Sequence, residues 1–254
     1  MNKVLELMKE ASRLMTEVDR AEVSVKGRSN FVTDRDVAVQ EKMRRGLAEL
    51  YPDYGFFSEE QENETDFSKP TWLLDPIDGT ANFITHYRQS AISLALYREG
   101  QVVFGAVYNP FTDELFTAEQ GKGAYLNGAP IHVDDEVERP QALIELGTMP
   151  YHKDRAHEVG RLAAEIILRA SDLRRCGSAA LAMCYMADGR LGGMMEGLLQ
   201  PWDFAAGMLI AQEAGAVVCD WNGATLDPRR PSSVVAAAPQ LRNEILKLIQ
   251  EVVE

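Results

Sequence analysis

Three runs of apolar or alternating residues, Ala91–Tyr97, Val102–Tyr108 and Glu114–Ala118, succeed one another with only short breaks. The breaks are Arg98-Glu99-Gly100 and Asn109-Pro110-Phe111-Thr112-Asp113, made of residues that set tight turns. Strands joined this closely have no room for a crossover helix, so they lie antiparallel. The segment predicts a β-meander within a sheet rich in antiparallel pairing. Gly121, Gly123 and Gly128 punctuate the stretch beyond the third run.

Helices flank this meander. Val4, Leu7, Met8, Ala11, Leu14, Met15 and Val18 recur at three- and four-residue steps and predict an amphipathic first helix. A second pattern runs from about Asp34 to Leu50, with Asp34 as its candidate cap and Pro52 beyond its end. Phe56-Phe57 and Thr71–Leu74 read as short buried strands. Near Pro140 the rhythm changes. Leu143–Leu146, Ala216–Cys219 and Val234–Ala238 read as strands; about Asp154–Arg169, Ser178–Ala187, Phe204–Ala214 and Leu241–Val253 read as helices. Such alternation belongs to α/β units. With 254 residues and no repeat or low-complexity linker, the expectation is a single domain, 1–254. A soft subdomain boundary near 140 divides an α+β half, 1–140, from an α/β half, 141–254.

Charge narrows the function. The chain carries 39 acidic and 26 basic residues, a net −13. A field of that sign repels nucleic acid and anionic lipid, so neither is expected as a partner. It also repels a phosphorylated metabolite unless bound cations reverse the sign locally. No apolar run reaches the roughly 18 residues of a membrane span, and the acids within MNKVLELMKEASRLM do not suit a signal peptide. Cys176, Cys184 and Cys219 are odd in number and widely spaced, which suits a reducing cytoplasm. The four histidines form no HxxxH or HxH pair, so a zinc site is disfavoured.

The acids themselves fall in a pattern. In Trp72-Leu73-Leu74-Asp75-Pro76-Ile77-Asp78-Gly79-Thr80 a buried strand is expected to end at Asp75, since Pro76 blocks further ladder pairing. Asp78 comes three residues later, and both carboxylates can point at one locus; an ordinary Asx turn is the plainer alternative. Glu59 and Glu60 come directly after Phe56-Phe57-Ser58, and Asp203 directly after Pro201-Trp202. Taken singly they read as loop charges and a helix-start acid. Taken together, they are oxygen ligands for a hard divalent cation, and Mg²⁺ combines such carboxylates with substrate phosphate.

Glu59-Glu60, the Asp75-Pro76-Ile77-Asp78-Gly79-Thr80 run, and Trp202-Asp203 with Ala205-Ala206-Gly207 beyond it resemble the inositol monophosphatase family. Its members are Mg²⁺-dependent, lithium-sensitive phosphomonoesterases related to fructose-1,6-bisphosphatase. Val32-Thr33 with Asp36, Gly121-Lys122-Gly123-Ala124 and Gly177-Ser178-Ala179-Ala180 fit in order and spacing, so the resemblance covers nearly the whole chain. It implies the sugar-phosphatase fold: a layered αβαβα sandwich of α/β (α+β) class, with a largely antiparallel first sheet and a second α/β half. The metal-binding acids would then sit mainly in the 1–140 half.

Carried over by position, the resemblance implies that Glu59, Asp75 and the Ile77 carbonyl hold a first metal. Asp75, Asp78 and Asp203 would hold a second, and Glu59 a weaker third. Glu60 would stand behind these ligands. Asp36 and Thr80 match the pair that positions and deprotonates the attacking water, with Glu59 beside them among the catalytic residues. Asp78, Gly79, Thr80, Gly177, Ser178, Ala179 and Asp203 would contact substrate, and Glu196 would accept its hydroxyls. Arg175, in the bacterial and archaeal pattern Arg174-Arg175-Cys176-Gly177-Ser178, is open to three roles: a second phosphate, an acid across a dimer contact, or a surface ion pair.

The implied cofactor is Mg²⁺, two to three per site, with Mn²⁺ able to substitute and Ca²⁺ and Li⁺ inhibitory. The implied assembly is a cytoplasmic homodimer. The implied reaction is hydrolysis of a small phosphorylated polyol, with myo-inositol-1-phosphate leading, by in-line attack of metal-activated water. Asp34-Arg35-Asp36-Val37-Ala38 lacks the hydroxyl of an aspartyl-phosphate motif, so an aspartyl phosphoenzyme is not expected. Thr148 stands where mammalian members carry Ser, and Gly147-Thr148-Met149-Pro150-Tyr151 departs from them. Fructose-1,6-bisphosphate, 3′-phosphoadenosine 5′-phosphate and histidinol phosphate therefore stay open as substrates. Two other classes also stay open: a regulatory binding protein on the same scaffold, and a structural Ca²⁺ module, which leaves Asp36 and Thr80 unexplained.

Overall fold

The computed structural model describes residues 1–17, 22–27, 30–63 and 66–253. Helix α1 (Asn2–Thr16) buries Val4, Met8, Ala11 and Met15 along one face; Val18, expected on the same face, lies outside the described residues. An antiparallel pair, β1 (Val23–Gly27) and β2 (Asn30–Thr33), leads into α2 (Asp34–Leu50). The cap of α2 is Thr33, not Asp34. The Thr33 hydroxyl accepts the Asp36 N–H, and the Asp36 carboxylate accepts the Thr33 N–H at 2.8 Å. Asp34 is already helical and accepts instead from the Glu22 N–H.

Next come β3 (Gly55–Ser58), β4 (Thr71–Asp78), the short helix α3 (Thr80–Ile84), β5 (Ala91–Arg98), β6 (Gln101–Asn109), β7 (Glu114–Glu119), β8 (Ala124–Leu126) and β9 (Ala129–Ile131). These seven strands pair in chain order, β3 through β9, and only β3 with β4 is parallel. The expected meander is β5–β7. The three-residue strands β8 and β9 extend it and are too short to show a period in the sequence.

The rest of the chain supplies β10 (Leu143–Leu146), α4 (Ala156–Arg169), β11 (Asp172–Arg174), α5 (Ala179–Ala187), β12 (Gly193–Leu199), α6 (Pro201–Glu213), β13 (Val217–Cys219), β14 (Ser232–Ala237) and α7 (Arg242–Val253). The second sheet has the order β11-β10-β12-β14-β13. Strand β10 is parallel to both neighbours, while β14 runs antiparallel to both of its own. Its central strand, Gly-Met-Met-Glu-Gly-Leu-Leu, lacks β-branched residues and gave no strand signal.

Burial explains the layering. Helices α1 and α2 cover one face of the first sheet through Met8, Met43, Trp72 and Leu94. Helices α4 and α7 cover the outer face of the second through Leu162, Met195 and Ile249. Between the sheets lie α5 and α6, which are apolar around their whole circumference because protein covers both sides. A Cβ on Gly105 would come 2.8 Å from the Ala206 carbonyl oxygen, so β6 and α6 pack backbone against backbone. The result is an αβαβα sandwich. Among the described residues no helix is long and apolar enough to cross a membrane.

Candidate active site

All eight positions of β4 are buried, Asp75 and Asp78 included. Contrary to the sequence expectation, Pro76 does not end the strand. Pairing with β5 resumes at Asp78 opposite Ala91, after Asp75 opposite Ser93. Three steps on β4 therefore face two on β5, a bulge that accommodates the missing Pro76 N–H and re-aims the acids. Asp75 Oδ1 accepts the Ile77 N–H at 3.0 Å. Gly79 comes next at φ +87°, and a Cβ there would sit 2.8 Å from the Gln89 carbonyl oxygen, so the turn into α3 admits glycine on two counts.

Other elements bring acids to the same place. Glu59 leaves the end of β3 with its N–H toward the Leu74 carbonyl at 3.4 Å. Asp203 occupies the first turn of α6, where its carboxylate accepts the Gln200 N–H at 2.7 Å. It lies deep in the molecule yet keeps part of its surface open to solvent. Burial, then the charges of Glu59, Asp78 and Asp203, push the Asp75 carboxyl well above the usual range. Burial, then Glu59 and Asp78, do the same to Asp203. Asp78 is raised by burial but relieved by the Ser178 hydroxyl, the Ala180 N–H at 2.7 Å and Arg175.

Mutually repelling, oxygen-only carboxylates in a buried setting fit a hard divalent cation. Among the described residues, no three acidic, His or Cys side chains stand in ready-made coordination geometry. The two observations agree once the hydrogen bonds are considered. Asp75, Asp78 and Asp203 each hold a backbone N–H or a hydroxyl, so the fold fixes their proximity rather than a filled coordination sphere. The Ile77 carbonyl accepts from the Thr80 hydroxyl at 3.1 Å.

Asp36 stands beside the cluster and is fully buried. Burial pushes its carboxyl up to about 6, against the lowering effect of its two bonds from Thr33. The Thr80 hydroxyl lies 3.4 Å from Asp36 Oδ1, so residues 44 positions apart meet at the edge of the acids.

The profile of the inositol monophosphatase family matches residues 1–254. The chain belongs to the inositol monophosphatase family. An inositol-1-monophosphatase from Mesorhizobium japonicum is 38% identical over 94% of this chain and 90% of its own length. A Nus factor SuhB from Vibrio cholerae is 34% identical, over 94% of this chain and 90% of its own. The structure of the extragenic suppressor protein suhB from Bartonella henselae superposes with a TM-score of 0.91 at 32% identity, covering 98% of each chain. An inositol monophosphate-bound structure of SaIMPase-II has a TM-score of 0.83 at 29% identity, covering 97% of this chain and 91% of its own.

In this member of the inositol monophosphatase family the rim of the site is built by the second half of the chain. Gly177, at φ +84°, turns the chain so that Ser178 caps α5 and, with Ala179 and Ala180, binds the Asp78 carboxylate. Glu196 on β12 is buried under residues 147–151, and its Oε1 accepts the Met149 N–H at 3.1 Å. A Cβ on Gly147 would overlap the Glu196 carboxylate, so glycine there makes room for it. Arg175 Nε donates to the Thr148 hydroxyl at 3.2 Å, and Nη1 lies 3.8 Å from the buried Glu145. Arg175 and Glu145 thus form an ion pair within the chain. Arg175 and Glu196, treated as separate in the sequence, are joined through the Thr148–Met149 segment.

Near the site, Asn82 and Gln40 carry no sequence signal, and Tyr151 stands out only as part of the 147–151 stretch. Asn82 Nδ2 donates to the Gln89 and Cys176 carbonyls at 2.7 and 2.8 Å, sewing α3 to the turn before α5. Tyr151 presents an exposed ring, yet its hydroxyl pKa is raised by burial and by Glu59, Asp203, Asp75 and Asp78. Gln40 sits one helical turn beyond Asp36 and contacts the Glu59 turn. Only its place on the buried stripe of α2 could have flagged it.

Proposed function

We propose that this chain is a Mg²⁺-dependent phosphomonoesterase acting on a small phosphorylated polyol, with myo-inositol-1-phosphate as its leading substrate. The observation that carries this reading is the convergence of Glu59, Asp75, Asp78 and Asp203 beside the Asp36–Thr80 pair. Family membership and the inositol monophosphate bound to SaIMPase-II support it.

Glu59, Asp75, Asp78, Asp203 and the Ile77 carbonyl are the groups that would hold the cations. Bound there, Mg²⁺ would supply charge neutralisation for a phosphate dianion and acidify a water molecule. The chain's own residues do the rest. Thr80 offers its hydroxyl to orient the attacking water, and Asp36 takes the proton at Oδ1. A carboxyl raised to about 6 is ionised at neutral pH yet basic enough for that task. The Gly79–Thr80 backbone faces the phosphate, Glu196 accepts substrate hydroxyls, and Arg175 favours a second anionic group. The enzyme works in the cytoplasm as a homodimer. Residues 1–254 act as one unit, with the acids mainly on the 1–140 side and the rim on the 141–254 side.

A phosphate-release panel with inositol phosphate, fructose bisphosphate, phosphoadenosine phosphate and histidinol phosphate, with Mg²⁺ and with EDTA, tests this. Turnover of inositol phosphate that EDTA abolishes and Mg²⁺ restores is expected; full turnover in chelator sinks it. The Nus factor name carried by the Vibrio cholerae relative favours a second reading, a regulatory protein partner on the same scaffold. That reading predicts partner binding that survives loss of the acids.

A further inference from the structure

Glu59 sits in a turn just past the end of β3, outside the strand ladder. Its neighbours are nevertheless held on both backbone groups. Gln40 Nε2 donates to the Glu60 carbonyl at 3.0 Å, and Gln40 Oε1 accepts the Glu60 N–H at 3.0 Å. On the other side, Asn63 Nδ2 donates to the Ser58 carbonyl at 2.8 Å and Asn63 Oδ1 accepts the Ser58 N–H at 3.0 Å. The buried Ser58 hydroxyl lies within reach of both Gln40 Oε1 and the Leu74 carbonyl. Two side-chain amides thus imitate the missing strand, one on each side of Glu59.

We propose that Gln40, with Asn63 opposite it, is a positioning residue that fixes Glu59 for cation binding. The proposal rests on the reading of Glu59 as a cation ligand. Gln40 is suited to this by its place in the sequence. The buried residues of α2 are Asp36, Val39, Gln40, Met43 and Leu47 at helical spacing. The polar pair Asp36 and Gln40, one turn apart, lies under the site, while Val39, Met43 and Leu47 join the core with α1. One helix face therefore carries both Asp36, which meets Thr80, and Gln40, which holds the turn of Glu59. A side chain that orients a ligand in this way affects metal affinity, about 10- to 100-fold when lost.

The test is direct binding of Mn²⁺, a spectroscopic probe that accepts the same oxygen ligands. Free ion is counted by electron paramagnetic resonance on the full chain, alongside the apo melting temperature. Gln40→Met, which keeps the volume and loses all the hydrogen bonds, should weaken binding of the Glu59-dependent ion about tenfold or more. Gln40→Glu keeps the acceptor for Glu60 and should fall between. Met43→Ala, on the same stripe, should lower the melting temperature and leave the affinity unchanged. Should Gln40→Met fail to fold, Asn63→Ala removes the other half of the clamp and is expected to weaken Mn²⁺ binding likewise. Wild-type affinity in Gln40→Met, or an equal loss in Met43→Ala, overturns the positioning role. Equal Mn²⁺ binding by wild type and Glu59→Gln instead overturns the ligand reading, and the positioning role falls with it.

Discussion

The first turns of α2 and α6 are built alike and used differently. In each, an aspartate three residues into the helix, Asp36 or Asp203, turns back to accept the backbone N–H of the residue before it, Thr33 or Gln200. Either would pass as an ordinary helix cap. The neighbours make the difference. Asp36 faces Thr80 and holds the Thr33 hydroxyl as well; burial raises its carboxyl to about 6 against the lowering effect of the Thr33 bonds. Asp203 faces Glu59 and Asp78, and burial followed by their charges pushes its carboxyl well above the usual range. One local motif thus sits among hydroxyls at Asp36 and among carboxylates at Asp203. On the proposed function that difference makes one a proton acceptor and the other a cation ligand.

Substitution separates the two. Asp203→Asn removes charge from the cluster and should cost about 10³-fold or more in kcat/KM, as loss of a main electrostatic group does. It should weaken Mn²⁺ binding and leave the apo protein at least as stable, since repulsion is relieved. If Asp203→Asn binds Mn²⁺ normally, the contrast with Asp36 collapses.

Asp36→Asn should lower kcat about 10²-fold, within the span of general-base work, with KM and Mn²⁺ affinity little changed. A rise in KM alone would make Asp36 a cap and a binding contact like any other.

Stability of the metal-free protein sharpens the contrast further. The Asp36 carboxyl is raised in the folded state, so the fold binds its proton more tightly than the unfolded chain does. That stabilisation is complete below the unfolded value near 4 and is lost as pH rises through about 6. In EDTA the melting temperature should therefore fall between pH 4 and 7. Asp36→Asn should remove part of the slope, ~3 kcal/mol at pH 7, from a rise of roughly two units at 1.36 kcal/mol each. A flat profile in the wild type would contradict the burial argument.

The smallest effect expected is on substrate choice. Arg175→Ala and Glu196→Gln should each shift the ratio of inositol phosphate to fructose bisphosphate hydrolysis roughly tenfold, as for a hydrogen bond to a charged group. Because Thr148 and Met149 join the two residues, the double variant should shift it by less than the product. Strict additivity would mean that the rim residues act independently.

Much of the molecule is legible in its sequence. Alternation and turns mark β5–β7, and the helix stripes mark α1 and α4 nearly to their ends. The acids of the site stand out because Asp75, Asp78 and Asp203 are polar interruptions in runs otherwise fit only for a core. The rest is hidden for physical reasons. Pro76 reads as a strand end, and only pairing with Ser93 and Ala91 reveals a bulge instead. Gly147 reads as loop freedom, yet it makes room for a carboxylate 49 positions away. Gln40 and Asn82 act through hydrogen bonds to backbone far along the chain, which leave no periodicity in it.

The bond from Ser178 to Asp78 spans 100 residues, and that from Ala180 spans 102. During synthesis, strand β4 leaves the ribosome long before the turn that receives its last carboxylate exists. Asp203 arrives later still. A nascent chain stopped before residue 178 carries an acidic strand end without its hydrogen-bond donors, and one stopped before residue 203 still lacks the last of the acids. Such long loops close slowly, and the groups of the site come from both halves of the chain, so neither half completes it alone.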